Sequence, residues 1–117
     1  MSVAILPWLE LDEFRFHHVL PTLPGATLVL FGQPHCGACR VWHARLPYLI
    51  PPSIRQLCYV DIAVSSALAH EFELFHLPAL ALYDNGAFHT MVNAPLERAS
   101  LAEAIQIALA SPPSEAP

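Results

Sequence analysis

Cys36 and Cys39 stand two residues apart in the stretch Phe31-Gly32-Gln33-Pro34-His35-Cys36-Gly37-Ala38-Cys39-Arg40. Two thiols at that spacing suit a reversible disulfide, above all where a strand runs into a helix. A helix beginning at about Cys36 would hold its sulfur in the first turn, where N–H groups without intrahelical partners favour a thiolate. The thiolate is the attacking species, and a lower pKa supplies more of it at neutral pH. Cys39, one turn along on nearly the same face, is placed to resolve a mixed disulfide. The competing uses of such a pair are a purely structural disulfide or a metal site. Zinc wants four ligands, and only His35, His43 and Cys58 are near in sequence, with no second C-x-x-C, so no metal is expected.

Several neighbours have two readings each. His35, when protonated, would favour the Cys36 thiolate; otherwise it is an exposed loop residue. His43 follows Cys39 by four residues and falls along the same helical face, where it is either a proton acceptor for Cys39 or a packed or exposed side chain. Cys58 is either a regulatory or dimer-forming thiol or a small buried hydrophobe. Arg40 would favour anions electrostatically. His17, His18, His70, His76 and His89 form no ligand spacing, and Trp8 and Trp42 read as core or rim aromatics.

The elements that must position the pair can be read on either side of it. Ser2 to Leu6 suits a short first strand. Glu10 to Leu20 suits a helix, with Leu11, Phe14 and His18 on one face, closed by Pro21 and Pro24-Gly25. Thr27 to Phe31 is almost unbroken apolar, as expected of a central strand covered on both faces. Val41, Trp42, Arg45, Leu46 and Leu49 keep helical spacing after the motif, with Pro47 kinking the helix or falling near its end and Pro51-Pro52 stopping it. Leu57 to Ile62 is the next strand. Ser65 or Ser66 suits the cap of a helix through Ala69, Phe72 and Glu73 that stops before Pro78. Leu80 to Tyr83 and Ala87 to Val92 flank Asp84-Asn85-Gly86, a hairpin signal. Leu96 to Ala110 closes the chain as a helix whose apolar face is Leu101, Ala104, Ile105, Ala108 and Leu109. The order β-α-β-α-β-α-β-β-α predicts an α/β domain with a mixed sheet and helices on both faces.

An apolar strand before C-G-x-C, Leu77-Pro78 far downstream, a strand-turn-strand around Asn85-Gly86 and a final amphipathic helix together resemble the thioredoxins, over most of the chain. The resemblance implies a thioredoxin fold, with Cys36 as nucleophile, Cys39 as resolving cysteine and Pro78 as the cis-proline facing them. Beside that proline Leu77 would present its backbone to an extended peptide, an edge pairing that gives affinity without much sequence preference; His35, Leu77 and Pro78 are the expected substrate contacts. There are departures. His35 stands where thioredoxins usually carry tryptophan and Ala38 where they carry proline. Leu30 occupies the place of the buried acid that assists the resolving cysteine, and Tyr59 the place of the lysine paired with that acid. The helix proline usually found soon after the second cysteine is absent, Pro47 coming later.

At 117 residues the chain is long enough for one core: a domain over 1–110 and a flexible tail over 111–117. Apolar residues make up 55%, the formal charge is −5, and the five cations are all arginines scattered along the sequence. With no basic stripe, nucleic acid is not an expected partner. No apolar run approaches the roughly 18–20 residues of a membrane span, and no leader pattern opens the sequence, so a cytoplasmic protein is expected. The resulting expectation is a thiol–disulfide oxidoreductase without a bound cofactor, acting on protein disulfides and reduced in turn by a separate reductase or small thiol. The alternative is a non-catalytic thioredoxin-fold module that holds a partner protein in the same groove.

Overall fold

The computed structural model describes residues 5–117. Its elements are strand β1 (Trp8–Glu10), helix α1 (Phe16–Val19) running into a 3-10 turn (Leu20–Thr22), β2 (Ala26–Gly32), α2 (Gly37–Leu49), β3 (Ile54–Asp61), α3 (Ser66–Glu71), β4 (Ala79–Asp84), β5 (Ala87–Val92) and α4 (Arg98–Ala110). The sheet order is β1-β3-β2-β4-β5. β3 runs parallel to both β1 and β2, while β4 is antiparallel to β2 and to β5. The chain has the α/β thioredoxin fold, a mixed five-stranded sheet with helices on both faces.

All seven residues of β2 are buried, which is why its sequence lacks the alternation of a half-exposed strand. Val29 and Phe31 face one layer, with Phe16, Leu20, Cys58, Val60, Leu68 and Phe72. Leu28 and Leu30 face the other, with Leu46, Leu57, Leu80, Leu82, Leu101 and Ile105. The β4–β5 hairpin turns on Asn85 and Gly86, at φ 50° and 84°. Positive φ at both central positions is what a two-residue turn matched to strand twist requires. Asn85 also ties the turn to Gly25, accepting its N–H on Oδ1 at 2.8 Å and donating its own N–H to its carbonyl at 2.9 Å. A Cβ on Gly86 would lie 2.5 Å from the Pro21 carbonyl oxygen, so this turn tolerates only glycine there.

The N-terminal third differs from the sequence reading. Among the described residues the first strand is Trp8–Glu10; of the strand expected over Ser2–Leu6, residues 2–4 lie outside the described residues, and Ile5 and Leu6 have no regular structure. Trp8, Leu9 and Glu10 pair with Leu57, Cys58 and Tyr59, which makes β1 the parallel edge beside β3. The expected helix over Glu10 to Leu20 shrinks to one turn. Asp12 sets where the turning starts: its Oδ1 accepts the N–H groups of Phe14 at 3.0 Å and Arg15 at 2.9 Å, as an N-cap does, and its carbonyl accepts those of Arg15 and Phe16, so Glu10 and Leu11 stay outside. The core face shifts accordingly, with Phe16 buried and Phe14 78% exposed. α3 is also shorter than expected. It ends at Glu71, with Glu73 at φ 51° just beyond. Ser65 does not cap it; the hydroxyl instead accepts the Glu13 N–H at 3.2 Å. In the 111–117 stretch, read as a flexible tail, Ser114 is tied to β5: its N–H donates to the His89 carbonyl at 2.6 Å and its hydroxyl to Thr90 Oγ1 at 2.9 Å.

Pro47 stands inside α2, where it has no N–H to give the carbonyl four residues back, that of His43. Trp8 Nε1 donates to that oxygen at 3.1 Å. The indole thus fills the gap the proline leaves and fastens β1 to the helix that carries the cysteines. Trp8→Phe should cost about 2 kcal/mol in urea denaturation, because a partly buried carbonyl loses its partner. Pro47→Ala returns an N–H to the same carbonyl, so in that background Trp8→Phe should cost less. Equal costs in both backgrounds would mean that Trp8 stabilises the fold some other way.

Candidate functional site

β2 ends at Gly32 and α2 begins at Gly37, so the segment between them crosses the end of the sheet. Cys36 is the N-cap residue of α2, extended at φ −92° and ψ 114°, and its sulfur accepts the Cys39 N–H at 3.1 Å. A sulfur that receives a helix-start N–H is better solvated as a thiolate than as a thiol. Cys36 and Cys39 are joined in a disulfide, with Cα atoms 5.1 Å apart. The two sulfurs differ in access: Cys36 is half-buried, whereas Cys39 is 1% exposed. His35 is exposed beside them. Arg40, rather than standing as an unengaged cation, donates Nη1–H to the Pro34 carbonyl at 2.6 Å and so braces the loop.

Opposite the loop, the Leu77–Pro78 peptide bond is cis. Ala79 pairs with Phe31, and this register brings Pro78 alongside Gly32, at the root of the cysteine loop. A cleft of about 220 Å³ opens next to Pro78, walled by Leu30, Trp42, Leu80, Met91 and Asn93. Met91 and Asn93 come from the far end of the hairpin, and nothing in their local sequence marks them; only the sheet order brings them here.

Residues 8–107 match the sequence model of the family described as Thioredoxin. The chain belongs to the thioredoxin family. A solved structure described as the human ERp44 zinc-bound form superimposes with a TM-score of 0.68 at 19% identity, covering 86% of this chain and 32% of that one. This thioredoxin-family chain therefore spans about a third of that protein's length, and the likeness speaks for the fold. No curated protein matches the sequence.

Behind Cys39 the thioredoxin-family chain is built from aromatics and aliphatics. Leu30, in the position where the resemblance expects an acid, is fully buried. His43 is half-buried, with its ring stacked on Trp8 at 4.9 Å between centroids and 21° between planes. It also meets Tyr59, at 4.4 Å between centroids, and the three rings form one cluster. Its Nε2 is buried with no hydrogen-bond partner. Gly32 is the point of closest approach: a Cβ there would sit 3.1 Å from Cys39 Cβ, 3.2 Å from the Tyr59 hydroxyl and 3.3 Å from Cys39 Sγ. Among the described residues no group of three or more His, Cys, Asp or Glu side chains could hold a metal. No helix among them is long and apolar enough to cross a membrane.

Cys58 lies across the sheet from this site, in the layer with Phe16 and Leu68. Burial pushes its thiol up to about 12. Tyr83 is also raised, by burial first and then by Glu71 and Cys58. An acid whose pKa is raised by folding keeps its proton in the fold while the unfolded chain releases it, so such groups remove stability as pH climbs above their ordinary range. Denaturation midpoints should therefore fall between pH 8 and pH 10, and Cys58→Ala should flatten that decline. Iodoacetamide should leave Cys58 untouched at pH 8 until the protein is unfolded.

Proposed function

We propose that this protein is a thiol–disulfide oxidoreductase that reduces or exchanges protein disulfides through Cys36 and Cys39. The observation that carries the reading is the asymmetry of the pair: one sulfur half-exposed at the helix N-cap and fed by a backbone N–H, the other buried one turn behind it. The Cys36 thiolate attacks a substrate disulfide, forming a mixed disulfide and releasing the first substrate sulfur as a thiolate that takes a proton from solvent. The Cys39 thiolate then attacks Cys36 Sγ. The Cys36–Cys39 bond forms, the bond to substrate breaks, and the second substrate sulfur leaves with the electron pair. The oxidised pair is returned to two thiols by a separate reductase or a small thiol in the cytoplasm. In this reading an extended substrate segment pairs with the backbone at Leu77, with His35 and Pro78 beside the sulfurs.

A second reading, a module that holds a partner in the same groove without turning it over, draws on Phe75. That side chain is 86% exposed three residues before Pro78, an apolar contact offered to solvent. Insulin reduction by dithiothreitol, followed as turbidity, separates the two. The oxidoreductase should shorten the lag at micromolar protein. Turbidity that develops at the uncatalysed rate would favour the holding module.

A further inference from the structure

Resolution of a mixed disulfide requires a thiolate at Cys39, and Cys39 is buried at 1% exposure. Burial alone works against that charge. Cys58 shows the size of the effect in the same molecule, its thiol pushed up to about 12 by burial with no other cause. The helix-start N–H of Cys39 itself is committed to Cys36 Sγ. Leu30, on the same face of β2 two residues before Gly32, brings no polar atom. The polar side chain that the fold brings toward the Cys39 side of Gly32 is Tyr59. The Tyr59 hydroxyl and Cys39 Sγ both approach Gly32, 3.2 Å and 3.3 Å from where a Cβ would be, with no hydrogen bond between them in the disulfide form. Glycine at 32 leaves the space between them open.

We propose that the Tyr59 phenol is the hydrogen-bond donor that stabilises the Cys39 thiolate, and so is a catalytic residue of the resolving step. This rests on the oxidoreductase reading for its purpose, but not for its chemistry. The ring is held in place by His43 at 4.4 Å and by Trp8 edge-on at 6.0 Å. Burial, then Asp61, then Glu10 raise the phenol's pKa above its ordinary value, so it stays protonated and remains a donor at neutral pH. Cys39 gives its proton to solvent, attacks Cys36 Sγ as the thiolate, and displaces the substrate sulfur; Tyr59 keeps its proton throughout. A hydrogen bond to the charged form lowers an acid's pKa. In this scheme His43 positions the phenol and takes no proton.

The test needs no substrate. In a Cys36→Ser background, the Cys39 pKa is read from thiolate absorbance and from iodoacetamide rates across pH 6–10, a range in which Cys58 stays protonated. The ionisable groups on the elements around Cys39 are Arg55, Cys58, Tyr59 and Asp61 on β3, Glu10 on β1, Arg40, His43, Arg45 and Tyr48 on α2, and His35 in the loop before it. Tyr59→Phe removes only the hydroxyl and keeps the ring against Trp8 and His43, so the melting temperature should stay within a few degrees. It should raise the Cys39 pKa by about one unit. In the protein with both active-site cysteines, Tyr59→Phe should slow mixed-disulfide release about tenfold at pH 7, with the rates converging at alkaline pH. A Cys39 pKa unchanged by Tyr59→Phe overturns the assignment. A shift produced by His43→Ala and not by Tyr59→Phe would also overturn it, in favour of the histidine. If insulin is not reduced yet Tyr59→Phe still raises the Cys39 pKa, the proposed reaction fails and the donor role stands.

Discussion

Cys36→Ser should eliminate disulfide reduction, lowering the insulin rate by roughly three orders of magnitude or more, while Cys39→Ser should leave the first attack intact and stop the second. A serine hydroxyl at the helix N-cap is almost wholly protonated at neutral pH and is a poor nucleophile toward sulfur. The same hydroxyl still accepts the residue-39 N–H, so the cap and the fold should survive. Loss of activity in Cys36→Ser would then be chemical rather than structural, and unchanged melting would show it. In Cys39→Ser the half-exposed Cys36 still reaches substrate, but no thiolate stands behind it. A mixed disulfide should accumulate at one equivalent per protein, visible on non-reducing gels and by intact mass, and dithiothreitol should release it. Full turnover in Cys39→Ser with no trapped adduct would sink the two-cysteine mechanism. Equal loss in both variants with no adduct in either would point to a pair that holds structure instead.

How far the sequence could be read depended on how local each signal was. The unbroken apolar run of β2, the Asn85-Gly86 turn and the Leu101/Ile105 face of α4 announce themselves within a few residues, because strand burial, positive φ and helical spacing are local constraints. The cysteine motif falls at the strand-to-helix junction for the same reason. The region before β2 was harder. Leu11, Phe14 and His18 keep helical spacing, yet Asp12 caps the first turn, Leu11 falls before it, and Phe16 enters the core in place of Phe14. Helical periodicity does not show where a cap starts the turn. The bond from Trp8 to the carbonyl freed by Pro47 joins residues 35 apart in sequence. The meeting of Gly32, Cys39 and Tyr59 needs β2, α2 and β3 in place at once. Tyr59 was visible as a departure from the family pattern, but its approach, with Cys39, to position 32 depends on a glycine that reads, in one dimension, as the end of a strand.

Leu30→Asp should be the most destabilising single change at the site and should also speed the resolving step. Leu30 is fully buried among Leu46, Leu80 and Leu101. Truncating a buried leucine costs about 2–5 kcal/mol, and an unpaired buried polar group adds about 1–3 kcal/mol, more when charged. A loss of about 4 kcal/mol or more would remove much of the roughly 5–15 kcal/mol available to a domain of this kind. The penalty should depend on pH in a definite direction. Burial raises the pKa of the introduced carboxyl, so above about pH 4 the unfolded chain ionises while the fold still holds the proton. The gap to the wild type should widen from pH 4 toward neutral and be smallest in acid. Where the fold persists, the carboxyl lies on the β2 face that carries Gly32, two residues from the glycine beside Cys39. Once ionised there, it can take the Cys39 proton that otherwise must reach solvent, and mixed-disulfide release should become several-fold faster as pH rises through the carboxyl's raised pKa. Urea denaturation at pH 4 and pH 7, with single-turnover release on the folded fraction, measures both effects. A variant that is folded but no faster would leave Leu30 as core alone and locate the control of Cys39 on the β3 side of the sulfur.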